Sequence, residues 1–401
     1  MNRRGRLPDL RIGMIGAGTM ARAHSAALSN IGSLYPALAA RVRLVVVADV
    51  NASLAVDLGA RYGYEHVELD WRVAVSAADV DLVVACLPPI LNRPVILAAV
   101  AAGKHIVSEK PLAETAEVAA ELLSACQAAG VFHGLGLGYR WSPAVRAIRE
   151  LIVRGDLGEI RSMRGSFMLD YGADPEVPLV WRFRRELSGG GLALDTGYHL
   201  VDCGRFLVGE IESVQALMST FITERPLPGS DAIGNTGGPG KDPTQRTMGL
   251  VDVEDAAAAI VSYAGGAYGV LETSRVAVGK RVSLQLEVFG SHGSADWDLE
   301  RPDEFRVCLP EDLGTFGYRR VLVNPSHPGA ATLLIGGADG TSIGWLGQEC
   351  AMWAEYVAAI GEGRRGRADF DDGVRINAVI DALYASAASG VRTPVVLPSG
   401  F

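Results

Sequence analysis

Residues 10–21 read LRIGMIGAGTMA, an apolar run from Leu10 to Ile15 followed by G-x-G-x-x-A and then a segment of helical character. Gly16 can make the tight turn out of a strand, and Gly18 removes a side chain that would collide with a pyrophosphate. The small Ala21 lets the helix pack on the strand. The helix N-terminus, at Thr19 and Met20, then offers free N–H groups to phosphates. Glycine-rich turns also occur without a ligand, so the surrounding chain has to decide.

Working outward, VRLVVVA over residues 42–48 reads as a second strand and ends at Asp49, where a ribose-binding carboxylate belongs. The interval is longer than the usual ~20 residues, and the excess lies in an insertion over residues 30–40 that holds Gly32 and Pro36. No arginine follows Asp49 in VNAS (50–53). A carboxylate without a basic neighbour repels a 2′-phosphate and accepts from a free 2′-hydroxyl, which favours NAD over NADP. A third strand, Leu82 to Cys86, stops at Leu87-Pro88-Pro89, and a helix runs to Ala102. GKHIVS (103–108) then leads into Glu109-Lys110-Pro111, and a last short strand spans 131–137. This alternation implies right-handed crossovers and a parallel, doubly wound α/β sheet. Ligands bind beyond the carboxyl ends of such strands, where Gly16, Asp49, Pro88 and Lys110 all fall. A lone lysine is ordinarily a solvated charge; at this rim it is a candidate for polarising a substrate oxygen.

The βα alternation stops near Tyr139, so the expected division is a dinucleotide-binding domain over 1–138 and a second domain over 139–401. An amphipathic helix (144–153) and an alternating strand (158–170) open the second domain. An irregular aromatic, acidic and proline-bearing loop follows over 171–183. Two later pairs, 256–263 with 267–274 and 282–290 with 294–299, read as antiparallel hairpins. The domain is therefore expected to be α+β with a large, mostly antiparallel open sheet, closed by helices over 347–360 and 373–389. Residues 224–252, dense in Gly, Pro and small polar residues, read as a loop over the site or an insertion.

Between the loop and the hairpins lies SGGGLALDTGYHLV, residues 188–201. Asp195 and His199 stand four apart on a helix and leave the same face. A carboxylate beside an imidazole can hold the ring's tautomer and raise its basicity, as a general base requires. The same pair is also an ordinary feature of a helix with an acidic first turn.

The chain has 401 residues, 49% of them hydrophobic and 21% charged, enough for two soluble cores. A formal net charge of -9 argues against nucleic acid or an anionic membrane surface as a partner. Five widely spaced cysteines without C-x-x-C read as reduced thiols and offer neither a disulfide framework nor a metal site. No apolar run has the length of a signal peptide or a membrane span, so a cytoplasmic location is expected.

Taken together, GAGTMA (16–21), Asp49, AGKHIVSEKPLA (102–113), WRF with SGGGLALDTGYHLVD (181–202) and FDDGVRINAVIDALYASAASG (370–390) resemble the glucose–fructose oxidoreductase / inositol dehydrogenase (Gfo/Idh/MocA) family over nearly the whole chain. ADPEVPLVWRF and ITERPLP, within 170–228, resemble its levoglucosan dehydrogenase branch. The resemblance implies NAD held by Gly16, Gly18, Thr19, Met20, Asp49, Leu87, Pro88, Asn92, Glu109 and Lys110, and no metal. It implies that Lys110 binds the reacting hydroxyl and that Asp195 and His199 complete the acid–base site. Tyr139, Arg140, Trp181 and Arg182 match positions near the substrate. One departure stands out: many members read T-P-N-x-x-H where this chain has LPPILN (87–92), so a side-chain amide and an imidazole are replaced.

The implied activity is oxidation of a secondary hydroxyl of a sugar, anhydrosugar, glycoside or (amino)cyclitol to a ketone. The implied assembly is a homo-oligomer, dimer or tetramer, through the open sheet. A glycosidase using NAD transiently shares every motif, and a non-catalytic NAD-sensing regulator shares the fold; such regulators lose the lysine or the histidine, and this chain keeps both.

Overall fold

β1 (Asp9–Ile15) turns through Gly16 into α1 (Thr19–Leu34), and the alternation then continues without a break. It runs through β2 (Arg41–Ala48), α2 (Ala52–Tyr62), β3 (His66–Glu68), α3 (Trp71–Ser76), β4 (Leu82–Ala85) and α4 (Pro89–Ala101). β5 (His105–Ser108), α5 (Ala116–Ala129) and β6 (His133–Leu135) complete it. In this computed structural model, which describes residues 9–38, 41–228, 247–310, 316–334 and 341–401, the six strands pair in the order β3-β2-β1-β4-β5-β6. All the pairings are parallel. This is the doubly wound order with its switch point between β1 and β4, where a crevice opens for ligands. Ile12, Met14, Val45, Val47, Val83 and Val84 are buried on this sheet. Near-continuous apolar strands are what a sheet covered on both faces requires.

The chain then forms α6 (Pro143–Arg154), β7 (Ile160–Met168), α7 (Arg185–Ser188), α8 (Leu192–Leu207) and β8 (Ile211–Ser219). Next come β9 (Glu224–Pro226), β10 (Met248–Leu250), β11 (Ala256–Tyr263), β12 (Tyr268–Ser274), β13 (Ser283–Gly290) and β14 (Ser294–Asp298). β15 (Glu304–Cys308), β16 (Arg319–Leu322), α9 (Ala330–Leu333), α10 (Gly344–Glu362), α11 (Phe370–Ser389) and β17 (Thr393–Pro394) follow. Nine strands make one mixed sheet, β16-β15-β14-β13-β7-β12-β11-β8-β17. Only the β7–β12 pairing in it is parallel. α8 packs on β7, β11 and β12, with Leu200 seated over Gly165. Burial alternates along β11 and β12, so only one face of each strand is covered.

Two compact units result. The first comprises the chain up to Ala113, Glu117–Gly138 and Gly344–Val374; the second comprises Glu114–Ala116, Tyr139–Ile343 and Arg375–Phe401. The sequence reading gave the helix of α10 to the second domain, whereas its contacts lie along α1. Cys350, Trp353 and Tyr356 are buried there, and the Tyr356 hydroxyl lies 2.6 Å from the Leu135 carbonyl and 2.9 Å from that of Ala368. An apolar helix face declares that it needs a core and not which core. Residues 224–252 are also not wholly loop: β9 and β10 pair antiparallel, Glu224 opposite Leu250. Residues 229–246 of that stretch lie outside the described residues.

At the switch point Gly16 has φ +95°, and a Cβ there would overlap the carbonyl oxygen of Cys86. Gly63 has φ +73° with open space around it. Gly63→Ala should therefore cost only the left-handed penalty of about 1–2 kcal/mol. Gly16→Ala adds a backbone clash worth roughly 1–3 kcal/mol more. Urea unfolding of the two variants checks the difference.

Candidate active site

At the carboxyl ends of β1 and β2 the first unit presents one carboxylate and one uncapped helix. Asp49 Oδ2 accepts the Ala17 N–H at 2.7 Å and Oδ1 accepts the Asn51 N–H at 2.8 Å. Each oxygen keeps a further lone pair for a sugar hydroxyl. Gly18 is the N-cap of α1 with no side-chain cap, and a Cβ built on it would meet nothing within 4 Å. The first N–H groups of α1, at Thr19 and Met20, are thus left for an anion. Leu87 and Pro88 lie half-buried between β4 and α4.

Two residues expected among the cofactor contacts have their side chains directed elsewhere. Asn92 is buried, and its amide nitrogen donates to the carbonyls of Pro111 and Leu112 at 3.0 and 3.1 Å. Glu109 is buried too: Oε1 lies 2.8 Å from His24 Nε2, and Oε2 accepts the N–H of Lys110 at 3.1 Å. Both side chains support the turn that carries the half-buried Lys110.

In the second unit the glycines before α8 make room for protein. A Cβ at Gly191 would overlap the Glu254 carbonyl, and one at Gly190 would overlap the Tyr384 hydroxyl. The buried Glu254 carboxylate accepts the N–H groups of Gly191 and Ala193 at 3.2 and 2.9 Å and the Tyr384 hydroxyl at 2.9 Å. An anion at the first turn of a helix satisfies orphan donors and opposes the helix dipole favourably. Burial, then the Glu254 charge, pushes the Tyr384 phenol well above its ordinary range, so it serves as a donor.

α8 so anchored buries every residue from Leu192 to Leu200 except Asp195 and His199, which stay partly exposed. The Tyr139 ring meets the His199 ring edge-on at 4.8 Å, and the Phe167 ring lies 5.9 Å from it. Arg182 Nε stands 3.4 Å from Asp195 Oδ2, with its guanidinium 4.2 Å from the Trp181 ring. Five of the expected residues of this unit, Trp181, Arg182, Asp195, Tyr139 and His199, therefore make ring or ion contacts within the set. Arg140 is different. The buried Asp202 engages its Nε at 2.9 Å and its Nη2 at 2.5 Å, so the fork expected to meet substrate is held by a carboxylate.

Sequence reasoning missed what holds the 171–183 loop. Arg225 is fully buried and donates to the carbonyls of Gly172, Asp174 and Val177 at 2.5, 2.8 and 3.3 Å. Arg275 donates to the Arg182 carbonyl at 3.0 Å and to Asp255 at 2.8 Å. Both guanidinium groups lie over Phe183, at 4.1 and 4.4 Å. Burial, then the Asp195 charge, holds the Tyr171 phenol above its ordinary range and neutral.

Residues 10–137 match the family described as "Oxidoreductase family, NAD-binding Rossmann fold", and residues 145–296 match the "GFO/IDH/MocA C-terminal domain". A levoglucosan dehydrogenase from Pseudarthrobacter phenanthrenivorans is 36% identical over 95% of this chain and 97% of its own. The chain belongs to the Gfo/Idh/MocA oxidoreductase family. Another relative, the inositol 2-dehydrogenase of Rhizobium meliloti, is 27% identical over 94% of this chain and 97% of its own. A solved levoglucosan dehydrogenase in complex with NADH and levoglucosan has a TM-score of 0.89 at 33% identity, covering 96% of this chain and 99% of that one. The first unit is accordingly the family's NAD-binding Rossmann domain, and the open space at Gly18, the uncapped α1 and the Asp49 carboxylate fit that cofactor. Among the described residues no group of three or more His, Cys, Asp or Glu is arranged to hold a metal ion. No described helix is long and apolar enough to cross a membrane.

Because Glu254 holds the start of α8, Glu254→Ala should lower stability by roughly 2–4 kcal/mol, since hydrogen bonds to a buried charge are worth about 1.5–3 kcal/mol each and are not additive. Leu383→Ala, on α11 and buried without a side-chain hydrogen bond to lose, serves as the packing comparison. Thermal melts monitored by circular dichroism check this, with Glu254→Gln expected to fall between parent and Glu254→Ala.

Proposed function

We propose that this chain is an NAD-dependent dehydrogenase that oxidises one secondary hydroxyl of a sugar, anhydrosugar, glycoside or (amino)cyclitol to a ketone. The observation that carries the reading is the partly exposed Asp195–His199 strip on the otherwise buried start of α8, with Arg182 and Trp181 beside it. The names of the relatives, levoglucosan dehydrogenase and inositol 2-dehydrogenase, supply the substrate class. Gly16, Gly18, Thr19, Met20, Asp49, Leu87 and Pro88 would hold NAD, and bound NAD supplies the hydride acceptor.

The roles follow from charge development. His199 takes the hydroxyl proton, steadied by the rings of Tyr139 and Phe167 and with Asp195 one turn before it on the same face. Lys110 offers its ammonium to the developing alkoxide, and stabilisation of that charge by a fixed cation is worth most where water is scarce. Trp181 and Arg182 contact the ring that bears the hydroxyl. The transient-oxidation glycosidase draws no support from these relatives, which carry dehydrogenase names. The five cysteines are free, which suits the reducing cytoplasm expected from the sequence.

We also propose that the exposed face of the nine-stranded sheet joins copies of the chain. Ile260 pairs with Val270, and Ala258 pairs with Leu217, and Leu217, Ile260, Tyr268 and Val270 are all exposed. Contiguous apolar surface of this kind on a sheet marks an interface. Light scattering should give a dimer or tetramer, and Leu217→Glu with Ile260→Glu should shift it to monomer.

Appearance of reduced nicotinamide over a panel of monosaccharides, anhydrosugars, inositols and aminoglycosides tests the activity. Lys110→Ala and His199→Ala should each lower kcat/KM on the best substrate by at least about 100-fold. Parental turnover in both variants, or glycoside cleavage without net reduced cofactor, defeats the reading.

A further inference from the structure

Behind the Lys110 turn the first unit buries two carboxylates and an imidazole that the proposed chemistry leaves unused. His24 is fully buried on α1, with Glu109 and Glu349 6% and 3% exposed. His24 Nε2 lies 2.8 Å from Glu109 Oε1, and Nδ1 lies 3.4 Å from Glu349 Oε2. Trp353 donates its indole N–H to the same Nδ1 at 3.0 Å. The cluster has space made for it: a Cβ at Gly136 would stand 2.6 Å from Glu109 Oε1, and one at Gly138 would stand 2.5 Å from Glu349 Oε1.

The hydrogen-bond inventory settles where the protons lie. An indole N–H can only donate, so the Nδ1 it meets is an acceptor and carries no proton. His24 is then neutral with its proton on Nε2, donated to Glu109. Burial opposes a second proton on the ring, and although the bond and charge of Glu109 and the charge of Glu349 together raise the imidazole above its ordinary value, a proton on Nδ1 would face the Trp353 N–H head-on. Glu109 Oε2 meanwhile accepts the main-chain N–H of Lys110, so Glu109 serves as the carboxylate. Glu349 Oε2 is buried and has no hydrogen-bond partner. A buried carboxylate oxygen with no donor, set beside the Glu109 charge, would be costly, and a proton on Glu349 removes that cost.

We propose that Glu349, held as a neutral carboxylic acid beside His24 and Glu109, is a positioning residue for the main chain at Lys110. The proposal rests on the dehydrogenase reading for its catalytic consequence and on geometry alone for the protonation state. Its physical content is a single negative charge in a dry pocket. Burial, followed by the neighbouring Glu109 charge and opposed by His24, raises the Glu349 carboxyl to about 7. Ionisation would set a second carboxylate against Glu109 and loosen its hold on the Lys110 N–H. The other titratable groups facing the pair are Cys86, whose thiol burial and then the two glutamates keep neutral, and Cys350, whose thiol burial and then Glu349 push up to about 11.

The folded value for Glu349 lies above the ordinary 4.5, so this group's contribution is complete below pH 4.5 and is lost as pH rises through about 7. Glu349→Gln, neutral at every pH, should therefore melt higher than the parent at pH 8 and lose that advantage below pH 5. The ratio of kcat for Glu349→Gln to kcat for the parent should rise several-fold between pH 6 and pH 8.5, and Glu349→Ala should lower kcat several-fold at pH 6 while the Kd for NAD stays within twofold. Infrared difference spectra between pH 6 and pH 8 should show a carboxylic-acid carbonyl band that Glu349→Gln lacks. A flat kcat ratio with no such band overturns the proposal, as does Glu349→Gln losing kcat as fully as Glu349→Ala. If no sugar or cyclitol reduces NAD with any variant, the dehydrogenase reading fails while the melting and infrared results still decide the protonation state.

Discussion

Both candidate sites depend on one kind of interaction, a carboxylate that accepts main-chain N–H groups at a point where the chain must turn. Asp49 holds Ala17 and Asn51, Glu109 holds Lys110, and Glu254 holds Gly191 and Ala193. Bonds of this type are shorter and roughly twice as strong as neutral ones, and they fix backbone where a side-chain contact would fix only a rotamer. Each places the base of an element of the proposed site: the glycine turn, the lysine turn, and the helix bearing Asp195 and His199. Desolvating a carboxylate is costly, so removing its donors or leaving the charge unmatched penalises any alternative path of the chain. Rigid placement of the first contacts by a second layer is what a working site requires.

The second unit adds a cationic version of the same device. The 171–183 loop has little regular structure and no strand ladder to hold it. Arg225 supplies the missing ladder by donating to three of its carbonyls, and with Arg275 it lies over Phe183. Asp255 offsets one of these buried charges through Arg275 and also accepts the N–H groups of Phe221 and Ile222.

Much of this was legible in the sequence, and the limits have physical causes. The glycine turn, the strand alternation, Asp49 and the two hairpins are local patterns, and the parallel and antiparallel sheets follow from them. Asp195 and His199 were legible because four residues is one helical turn. Glu254, Arg225 and Glu349 were not, because each acts on a partner dozens to hundreds of residues away and no period links them. The placement of α10 beside α1 was hidden for the same reason. Arg140 was read as a substrate contact because its motif position lies near the site. Its guanidinium goes to Asp202, an acidic residue on α8 that the sequence did not distinguish from a surface charge. Asn92 was read beside the cofactor, and its amide instead closes on the carbonyls of Pro111 and Leu112.

The central claim is hydride removal from a single carbinol carbon, and isotope transfer tests it most directly. The protein would be incubated with NAD and a responsive sugar or anhydrosugar deuterated at one ring carbon at a time, and the reduced cofactor weighed by mass spectrometry. Deuterium should enter the nicotinamide from one position only, with the matching ketone as the sole new carbohydrate. Reduced cofactor without deuterium from any ring carbon, or a sugar altered while no reduced cofactor accumulates, would contradict it.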